Sequence, residues 1–177
     1  MSEREGGSGR AVARHAHLED LPRAAVRHAH PGDLPRVVEL VAEHAAYEKA
    51  AAPAPGLADR LARLLFGPEP PRLRCLVAAL PDGTLAGYAT CAPELSTWDG
   101  AEYLHMDCLY LTEASRGHGL GPLLMAAVRA EARALGLTDV QWQTPVWNEG
   151  AIRFYDRLGA TSRGKHRYTL RADPAAP

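Results

Sequence analysis

The feature that most constrains the fold is a glycine-rich segment, RGHGLG at residues 116–121, between two apolar runs. It follows the strand-like run EYLHMDCLYL (102–111) and opens the helix-like run LGPLLMAAVRAEARALG (120–136). In a strand–turn–helix unit of this kind, backbone N–H groups and the positive end of the helix converge on one point. Arg116 adds a guanidinium suited to phosphate. The segment predicts a pyrophosphate site; the alternative is a tight turn that holds no ligand.

Two other kinds of phosphate site fit this segment poorly. A Walker-type loop requires Lys followed by Ser or Thr, and no such pair follows these glycines. A dinucleotide-binding turn belongs after the first strand of a βαβ unit, whereas this turn follows several predicted antiparallel strands. The question left by the motif is therefore whose pyrophosphate the turn binds.

The order of predicted elements indicates the fold class. Apolar periodicity and turn residues predict strands at 25–29, 72–80, 84–92, 101–111, 138–145 and 165–172, and helices from Pro31 to Tyr47 and at 57–65, 120–135 and 148–159. Residues 93–100 (PELSTWDG) are predicted to form a loop. We therefore expect an α/β fold of the α+β type, with a mixed, mostly antiparallel sheet of six to seven strands flanked by about four helices.

A short internal repeat decides the predicted domain boundaries. RHAHLEDLPR (14–23) recurs as RHAHPGDLPR (27–36), and only the second copy is followed by a helical pattern. We expect a flexible N-terminal extension over 1–23, one domain over 24–172 and a tail over 173–177. The paired histidines, His15/His17 and His28/His30, raise the possibility of a metal site. A duplicated segment or a misassigned start codon explains them equally well, and no metal is predicted.

Composition excludes several classes of function. A formal net charge of -1 argues against a general nucleic-acid-binding surface. No apolar run approaches the ~20 residues of a membrane span, and the first residues lack the apolar core of a secretory signal. The three cysteines form an odd set within strand-like runs, which favours reduced thiols and a cytoplasmic location.

Two segments together resemble the GNAT N-acetyltransferases. RGHGLG fits the R-x-x-G-x-G/A signature of that family, and WNEGAIRFYDRLGA (147–160) is similar to its W-N-x-x-A-I-x-F-Y-x-x-L-G-A segment. The resemblance covers about residues 26–170. It implies a GNAT-like fold, acetyl-CoA as co-substrate, transfer of acetyl to a primary amine, and a homodimer.

Within that family, the chain is most similar to the diamine (spermidine/spermine-type) and thialysine acetyltransferases. The similar stretches are YEKA (47–50), CLVA (75–78) and STWDGAEYLHMDCLYL (96–111). Those enzymes carry two adjacent acids in the strand before the glycine turn, where this chain has Asp107 and Cys108. The lost carboxylate leaves less negative charge to hold a polyamine, so an amine acetyltransferase is favoured over a polyamine acetyltransferase.

The resemblance also implies which residues bind coenzyme A. The phosphates would lie on the glycine turn, and the pantetheine arm would pair with the backbone of Leu109 and Leu111 like an added strand. Asn148 would reach the amide arm, and it can also cap the helix that it begins. The predicted cofactor-binding residues are Leu109, Leu111, Arg116, Gly117, His118, Gly119, Leu120, Gly121, Asn148 and Tyr155.

Two residues are candidates for proton transfer. A primary amine is mostly protonated at neutral pH and must lose a proton before it attacks a thioester. Asp107 is the candidate general base, directly or through a water, and we expect burial to raise its pKa. Tyr155 is the candidate general acid for the departing thiolate. The alternatives are a structural salt bridge for Asp107 and a core-packing role for Tyr155. Cys108 is expected to be a buried apolar residue, not a nucleophile.

The amine pocket is predicted with the least detail. Glu48 would attract an ammonium, and Tyr47 or Trp98 could present an aromatic face to it; surface charge and packing are the alternative. Asp107 is also predicted to bind the amine substrate. The acceptor could instead be an amino-bearing antibiotic or another natural product, or a protein amine. A catalytically silent acyl-CoA-binding module is the non-enzymatic alternative.

Overall fold

The computed structural model describes residues 24–67, 70–170 and 172. Five strands and four α-helices follow one another along them in the order β1 (Ala25–His28), α1 (Leu34–Tyr47), α2 (Leu57–Phe66), β2 (Arg74–Ala79), β3 (Leu85–Ser96), β4 (Ala101–Leu111), α3 (Leu120–Ala134), β5 (Val140–Trp142) and α4 (Glu149–Arg157). Short 3-10 turns precede α1 (Pro31–Asp33) and follow β4 (Glu113–Ser115). Most predicted elements are confirmed to within a few residues.

The strands form one sheet in the order β1-β2-β3-β4-β5. The first three pairings are antiparallel and the last, between β4 and β5, is parallel, which confirms a mixed and mostly antiparallel sheet. Apolar side chains fill a core on each side of the sheet. Helix α3 supplies Leu124 and Val128 to one core, and α1 supplies Val37 and Leu40 to the other. The glycine turn therefore projects from the end of β4 on the α3 side.

A β-bulge at Asp107 interrupts the pairing of β3 with β4. Thr90 pairs with Cys108, but the next residue of β3, Cys91, pairs with Met106, so Asp107 is the extra residue. An inserted residue reverses the in–out alternation beyond it. Met106 accordingly packs in the core under α3, whereas Cys108 packs in the core under α1. The bulge places Asp107 at the point where the strand changes faces.

Two sequence predictions about the sheet are wrong. The described chain contains five strands, not six or seven, because residues 160–170 form no strand. Their strand-like pattern is not enough, since a strand requires a partner edge, and the outer strand β5 offers only three residues. The predicted loop 93–100 is also shorter than expected, because β3 continues to Ser96 and pairs there with Ala101.

The predicted N-terminal extension, residues 1–23 with the first copy of the repeat, lies outside the described residues, as does the tail 173–177. The second copy of the repeat enters the fold. Arg27 on β1 donates two hydrogen bonds to Asp33, over 2.5 and 2.9 Å, and thereby fixes the start of α1 against the sheet. In the ranges that the structure covers, none of the helices has the length and apolarity that crossing a membrane would require.

Candidate active site

A cavity of about 650 Å³ opens where β4 and β5 separate. The two strands pair only from Leu104 to Met106 on β4 and from Val140 to Trp142 on β5. Beyond that point β4 continues to Leu111 along the cavity wall, and its edge remote from β3 is paired with no strand of the described chain. The opposite walls come from α4, from the C-terminal end of α1 and from the glycine turn. An exposed strand edge of this kind can pair with an extended ligand.

The glycines of the turn serve two different physical purposes. Gly117 and Gly119 both have φ near +81°, and a Cβ at either would meet no other atom within 4 Å. These positions therefore require glycine for their left-handed backbone. Gly121 is buried in the first turn of α3, where a Cβ would lie 3.2 Å from the ring of Phe154. It lets α4 pack closely against α3. No local pattern in the sequence indicates this packing role.

Arg116 lies over aromatic rings of the cavity wall. Its guanidinium carbon is 4.3 Å from the ring centroid of Tyr47 and 5.7 Å from that of Tyr110. Its Nε donates a hydrogen bond to the carbonyl oxygen of Leu111 over 3.1 Å. The side chain is exposed. This bond uses one of the two lone pairs of the Leu111 carbonyl oxygen. Leu109 and Leu111, the two residues predicted to pair with the pantetheine arm, both line the cavity.

Asn148 connects two walls of the cavity. It is 8% exposed, and its Oδ1 accepts the backbone N–H of Ala151 over 3.2 Å. This bond confirms the predicted cap of α4. The same oxygen accepts a hydrogen bond from the Tyr47 hydroxyl over 3.2 Å. Asn148 therefore holds the C-terminal end of α1 against the start of α4.

Both candidate proton-transfer residues line the cavity. The carboxylate of Asp107 is exposed, so the predicted burial of this residue is wrong; the bulge turns it away from both cores. Tyr155 packs against Trp142, with 4.9 Å between ring centroids, and against Phe154. Burial raises the pKa of Tyr155 to about 12, with smaller contributions from Glu48 and Cys108. Tyr155 combines a packing role with a place in the cavity and is a phenol, not a phenolate, at neutral pH.

The cavity brings together most of the predicted site residues. Tyr47 and Glu48 lie within it beside the glycine turn. Trp98, by contrast, is 89% exposed at the β3–β4 turn and does not line the cavity. His118 is exposed outside it, and Leu120 is buried in the core at the start of α3.

Cys108 is a free thiol, as are Cys75 and Cys91. Burial raises the pKa of Cys108 to about 11, and the neighbouring carboxylate of Asp107 acts in the same direction. The thiol is therefore protonated at neutral pH. This agrees with the predicted role of a buried side chain and gives no support to a nucleophile, which must be a thiolate.

His44 lines the cavity but is not among the site residues predicted from the sequence. Its Nδ1 is 3.1 Å from the hydroxyl oxygen of Tyr88, and its Nε2 is 3.4 Å from Oε1 of Glu48. The ring stacks on Tyr110, with 5.1 Å between centroids. Burial lowers the pKa of His44. Its spacing, four residues before Glu48 on a predicted helix, is the signal that could have found it.

The described residues contain no group of three or more His, Cys, Asp or Glu side chains arranged to hold a metal ion. His28 and His30, the pair inside the fold, form contacts with separate acids: Nε2 of His28 lies 3.0 Å from Glu131, and Nε2 of His30 lies 3.4 Å from Asp33. The pair His15 and His17 lies outside the described residues.

Comparison with known proteins identifies the family. Residues 38–160, well over half of the chain, match the acetyltransferase (GNAT) family. The chain belongs to that family. The fold agrees: the solved structure of a transcriptional regulator from Bacillus halodurans C-125 superposes with a TM-score of 0.71 at 21% identity, over 84% of this chain and all of the other.

Two curated relatives are N-acetyltransferases of small amines. L-ornithine N5-acetyltransferase NATA1 of Arabidopsis thaliana is 32% identical over 92 residues, which are 52% of this chain and 40% of the relative. Thialysine N-epsilon-acetyltransferase of Caenorhabditis elegans is 36% identical over 83 residues, 46% of this chain and 51% of the relative. The matches thus span about half the length of these relatives or less. They bear out the predicted similarity to the thialysine acetyltransferase group.

Proposed function

We propose that this protein transfers acetyl from acetyl-CoA to a primary amine of a small molecule, by direct attack of the amine with both substrates bound together. The observation that carries the proposal is that one cavity contains both the glycine turn and two acidic side chains, Glu48 and Asp107. An anion-binding turn and a cation-attracting pair of acids suit a phosphate-bearing acyl donor and an ammonium-bearing acceptor.

The residues present fit coenzyme A. The left-handed turn at Gly117 and Gly119 leaves its outer side open, and the 15-residue helix α3 begins there with its positive end toward the cavity. The turn and Arg116 would hold the pyrophosphate, and the unpaired edge of β4 at Leu109 and Leu111 would hold the pantetheine arm. When bound, acetyl-CoA supplies an activated thioester, so no enzyme nucleophile is required.

The protein's own contribution to the chemistry is to attract the amine and to move protons. Asp107, exposed in the cavity, attracts the ammonium and accepts its proton directly or through a water. Tyr155, protonated at neutral pH, donates to the sulfur as the carbon–sulfur bond breaks. Nitrogen loses its second proton as the amide forms, which restores the phenol. One proton is released overall, and the products are an amide and a thiol.

The acceptor is best sought among amino acids and other small molecules that carry a side-chain amine. Ornithine and thialysine, named in the two curated relatives, are both of this type. Cys108 in place of a second acid argues against a polyamine, because the cavity then carries fewer negative charges along β4.

We further propose that the enzyme works in the cytoplasm as a homodimer. The three free thiols support a reducing compartment; the dimer rests on the family resemblance.

An amine panel tests the proposal. Release of free thiol from acetyl-CoA is measured with ornithine, thialysine, lysine, spermidine, tyramine and an aminoglycoside, and coenzyme A affinity is measured separately by calorimetry. We expect ornithine or thialysine to accelerate thiol release well above spermidine. Binding of coenzyme A with no acceleration by any amine would contradict the proposal and favour a silent acyl-CoA-binding module.

A further inference from the structure

We infer that two copies of this protein associate through a reciprocal contact, in which residues 161–170 of each copy pack on the end of the β3–β4 hairpin of the other. The inference rests on the homodimer of the proposed function and deepens it by assigning the surfaces that meet. Two exposed patches carry it. The hairpin end (residues 94–102) is apolar and acidic, and the basic segment (residues 161–170) is apolar and positively charged.

The hairpin end exposes large apolar side chains together with carboxylates. Leu95 is 75% exposed and Trp98 is 89% exposed, and Glu94, Asp99 and Glu102 are exposed in the same short stretch. No Lys or Arg occurs between residues 75 and 115 to neutralise these acids. Tryptophan is enriched at the centre of protein–protein interfaces. Trp98, which does not line the cavity, therefore suits a contact with another protein surface.

The register of the hairpin places an apolar side chain and an acid side by side. Leu95 pairs with Glu102, and directly opposite residues of an antiparallel pair project from the same face. Cys91, four residues before Leu95, and Leu104, two residues after Glu102, both face the core under α3. The apolar face of the sheet thus continues to the hairpin end, where the high exposure of Leu95 shows that no helix of the described chain covers it.

The basic segment has the complementary composition. Every residue from 161 to 170 is exposed, including Tyr168 at 89% and Leu170 at 96%. Arg163, Lys165 and Arg167 supply three positive charges, and no Asp or Glu occurs between residues 157 and 172. The segment therefore offers apolar groups for the hairpin end to cover and cations for its carboxylates.

The side chains of the basic segment separate into two sides. In an extended chain, residues i and i+2 project in the same direction. The rings of His166 and Tyr168 follow this rule, with 6.3 Å between their centroids. Leu170 continues the same side, whereas Lys165 and Arg167 alternate with it. The segment can thus lay Tyr168 and Leu170 on an apolar surface while its cations reach acids at the rim.

A second copy is the occupant that fits both patches. Trp98 and Tyr168 are each 89% exposed, so neither ring covers the other within one copy. A chain that carries a patch and its complement can form two equal contacts about a two-fold axis. Each copy would then give its basic segment and receive that of the other.

Reciprocity supplies enough surface for a stable dimer. The two-fold pair would cover Trp98 and Tyr168 of both copies, which amounts to roughly 600–1,000 Å² at about 150–250 Å² for each aromatic side chain. A standard protein–protein interface buries about 1,600 Å² in total. Leu95, Leu170 and the aliphatic stems of the basic side chains add to the aromatic area. The paired charges fix the register of the contact more than they raise its affinity.

Charge reversal tests the contact between copies. One full-length variant carries Asp99→Lys and Glu102→Lys, and a second carries Lys165→Glu and Arg167→Glu. Sedimentation velocity measures the association of the wild type, of each variant alone and of their equimolar mixture. We expect a dimeric wild type and variants that each bind themselves at least about 10-fold more weakly, because like charges then face each other. Mixing should restore the dimer, because both contacts again join opposite charges.

A matched variant controls for general attraction between oppositely charged proteins. Arg129→Glu with Arg133→Glu changes the net charge as much as the second variant does, but on the exposed side of α3. Alone, this control should dimerise like the wild type. Mixed with the variant Asp99→Lys, Glu102→Lys, it should form no heterodimer, because its basic segment is intact. Restoration by this control, or none by the second variant, overturns the inference.

Removal of the aromatic side chains tests the apolar part of the contact. We expect Trp98→Ala and Tyr168→Ala each to weaken the dimer roughly 30-fold, whereas Val146→Ala, at a 91% exposed apolar residue outside both patches, leaves it unchanged. A dimer unaffected by both aromatic substitutions, or assembly beyond two copies, overturns the inference. A wild type that is monomeric at every concentration also overturns the proposed homodimer. A dimer that acetylates no amine contradicts only the proposed transfer reaction.

Discussion

The hydroxyl of Tyr47 donates a hydrogen bond to Oδ1 of Asn148 across 3.2 Å and joins two helices that are 101 residues apart in the chain. The same tyrosine ring lies under the guanidinium of Arg116. One side chain thus connects α1, the cap of α4 and the cation of the glycine turn. This connection makes the geometry of the cavity beside the glycine turn depend on α1, although the family signature lies entirely elsewhere.

Substitution of Tyr47 separates its two contacts. Tyr47→Phe keeps the ring under Arg116 but loses the hydrogen bond to Asn148, which contributes about 1 kcal/mol. Tyr47→Ala also loses the cation–π contact, which contributes about another 0.5–1 kcal/mol at an exposed site. We expect Tyr47→Phe to lower coenzyme A affinity about fivefold. Tyr47→Ala should lower it further. Calorimetric titration of both variants with coenzyme A checks this order. Equal affinities in wild type and Tyr47→Ala would show that α1 does not support the site.

Glycine substitutions separate backbone strain from ligand binding. Gly119 and Gly83 both have positive φ and open surroundings, but only Gly119 borders the cavity. Gly119→Ala and Gly83→Ala should therefore each cost about 1–2 kcal/mol of unfolding free energy. We expect only Gly119→Ala to weaken coenzyme A binding. Denaturant unfolding and calorimetry on both variants give the comparison, and similar coenzyme A affinities would contradict a phosphate site at this turn.

Tyr155→Phe tests the proposed acid. The ring and its packing on Trp142 are kept, and only the hydroxyl is lost. We expect kcat to fall about 10²-fold, with coenzyme A affinity within about twofold of wild type. Because burial raises the pKa of Tyr155 to about 12, the phenol stays protonated up to that value, and its ionisation should produce no loss of activity between pH 6 and 10. An unchanged kcat would remove Tyr155 from the mechanism.

Asp33 should make stability depend on pH. Hydrogen bonds from Arg27 are the main reason that the pKa of Asp33 lies below its usual value. A carboxyl with a lowered folded-state pKa stabilises the fold above its unfolded pKa of about 3.9, and this contribution is lost as the pH falls through the lower, folded value. Asp33→Ala should cost about 2 kcal/mol at pH 7 and much less near pH 2.

The measurement for Asp33 is urea unfolding of wild type and Asp33→Ala at both pH values. The control is Asp139→Ala, which removes an exposed aspartate of the loop before β5 and should leave the unfolding free energy nearly unchanged. A cost for Asp33→Ala that is the same at pH 7 and pH 2 would show that the carboxylate charge is not the source of the stabilisation.

Local signals in the sequence predicted most of the elements and the glycine turn. Turn residues, apolar periodicity and the helix cap at Asn148 act over a few residues, so they can be recognised from one chain. The same locality explains the error at residues 165–170, where a strand-like pattern lacks a strand to pair with in the described part of the chain. It also explains why Trp98 was wrongly predicted to line the amine pocket. Its aromatic character indicated a binding face, but its position at the tip of a hairpin keeps it away from the cavity.

By itself the sequence determined the family, the glycine turn and most of the helices and strands, because each depends on residues close together in the chain. Only the tertiary structure decided the composition of the cavity. The bulge at Asp107 exposes that carboxylate while turning Cys108 inward, and the packing of α1 on the sheet brings His44 to Tyr88, 44 residues later. These relationships arise from register and helix packing between distant segments, which no local pattern specifies.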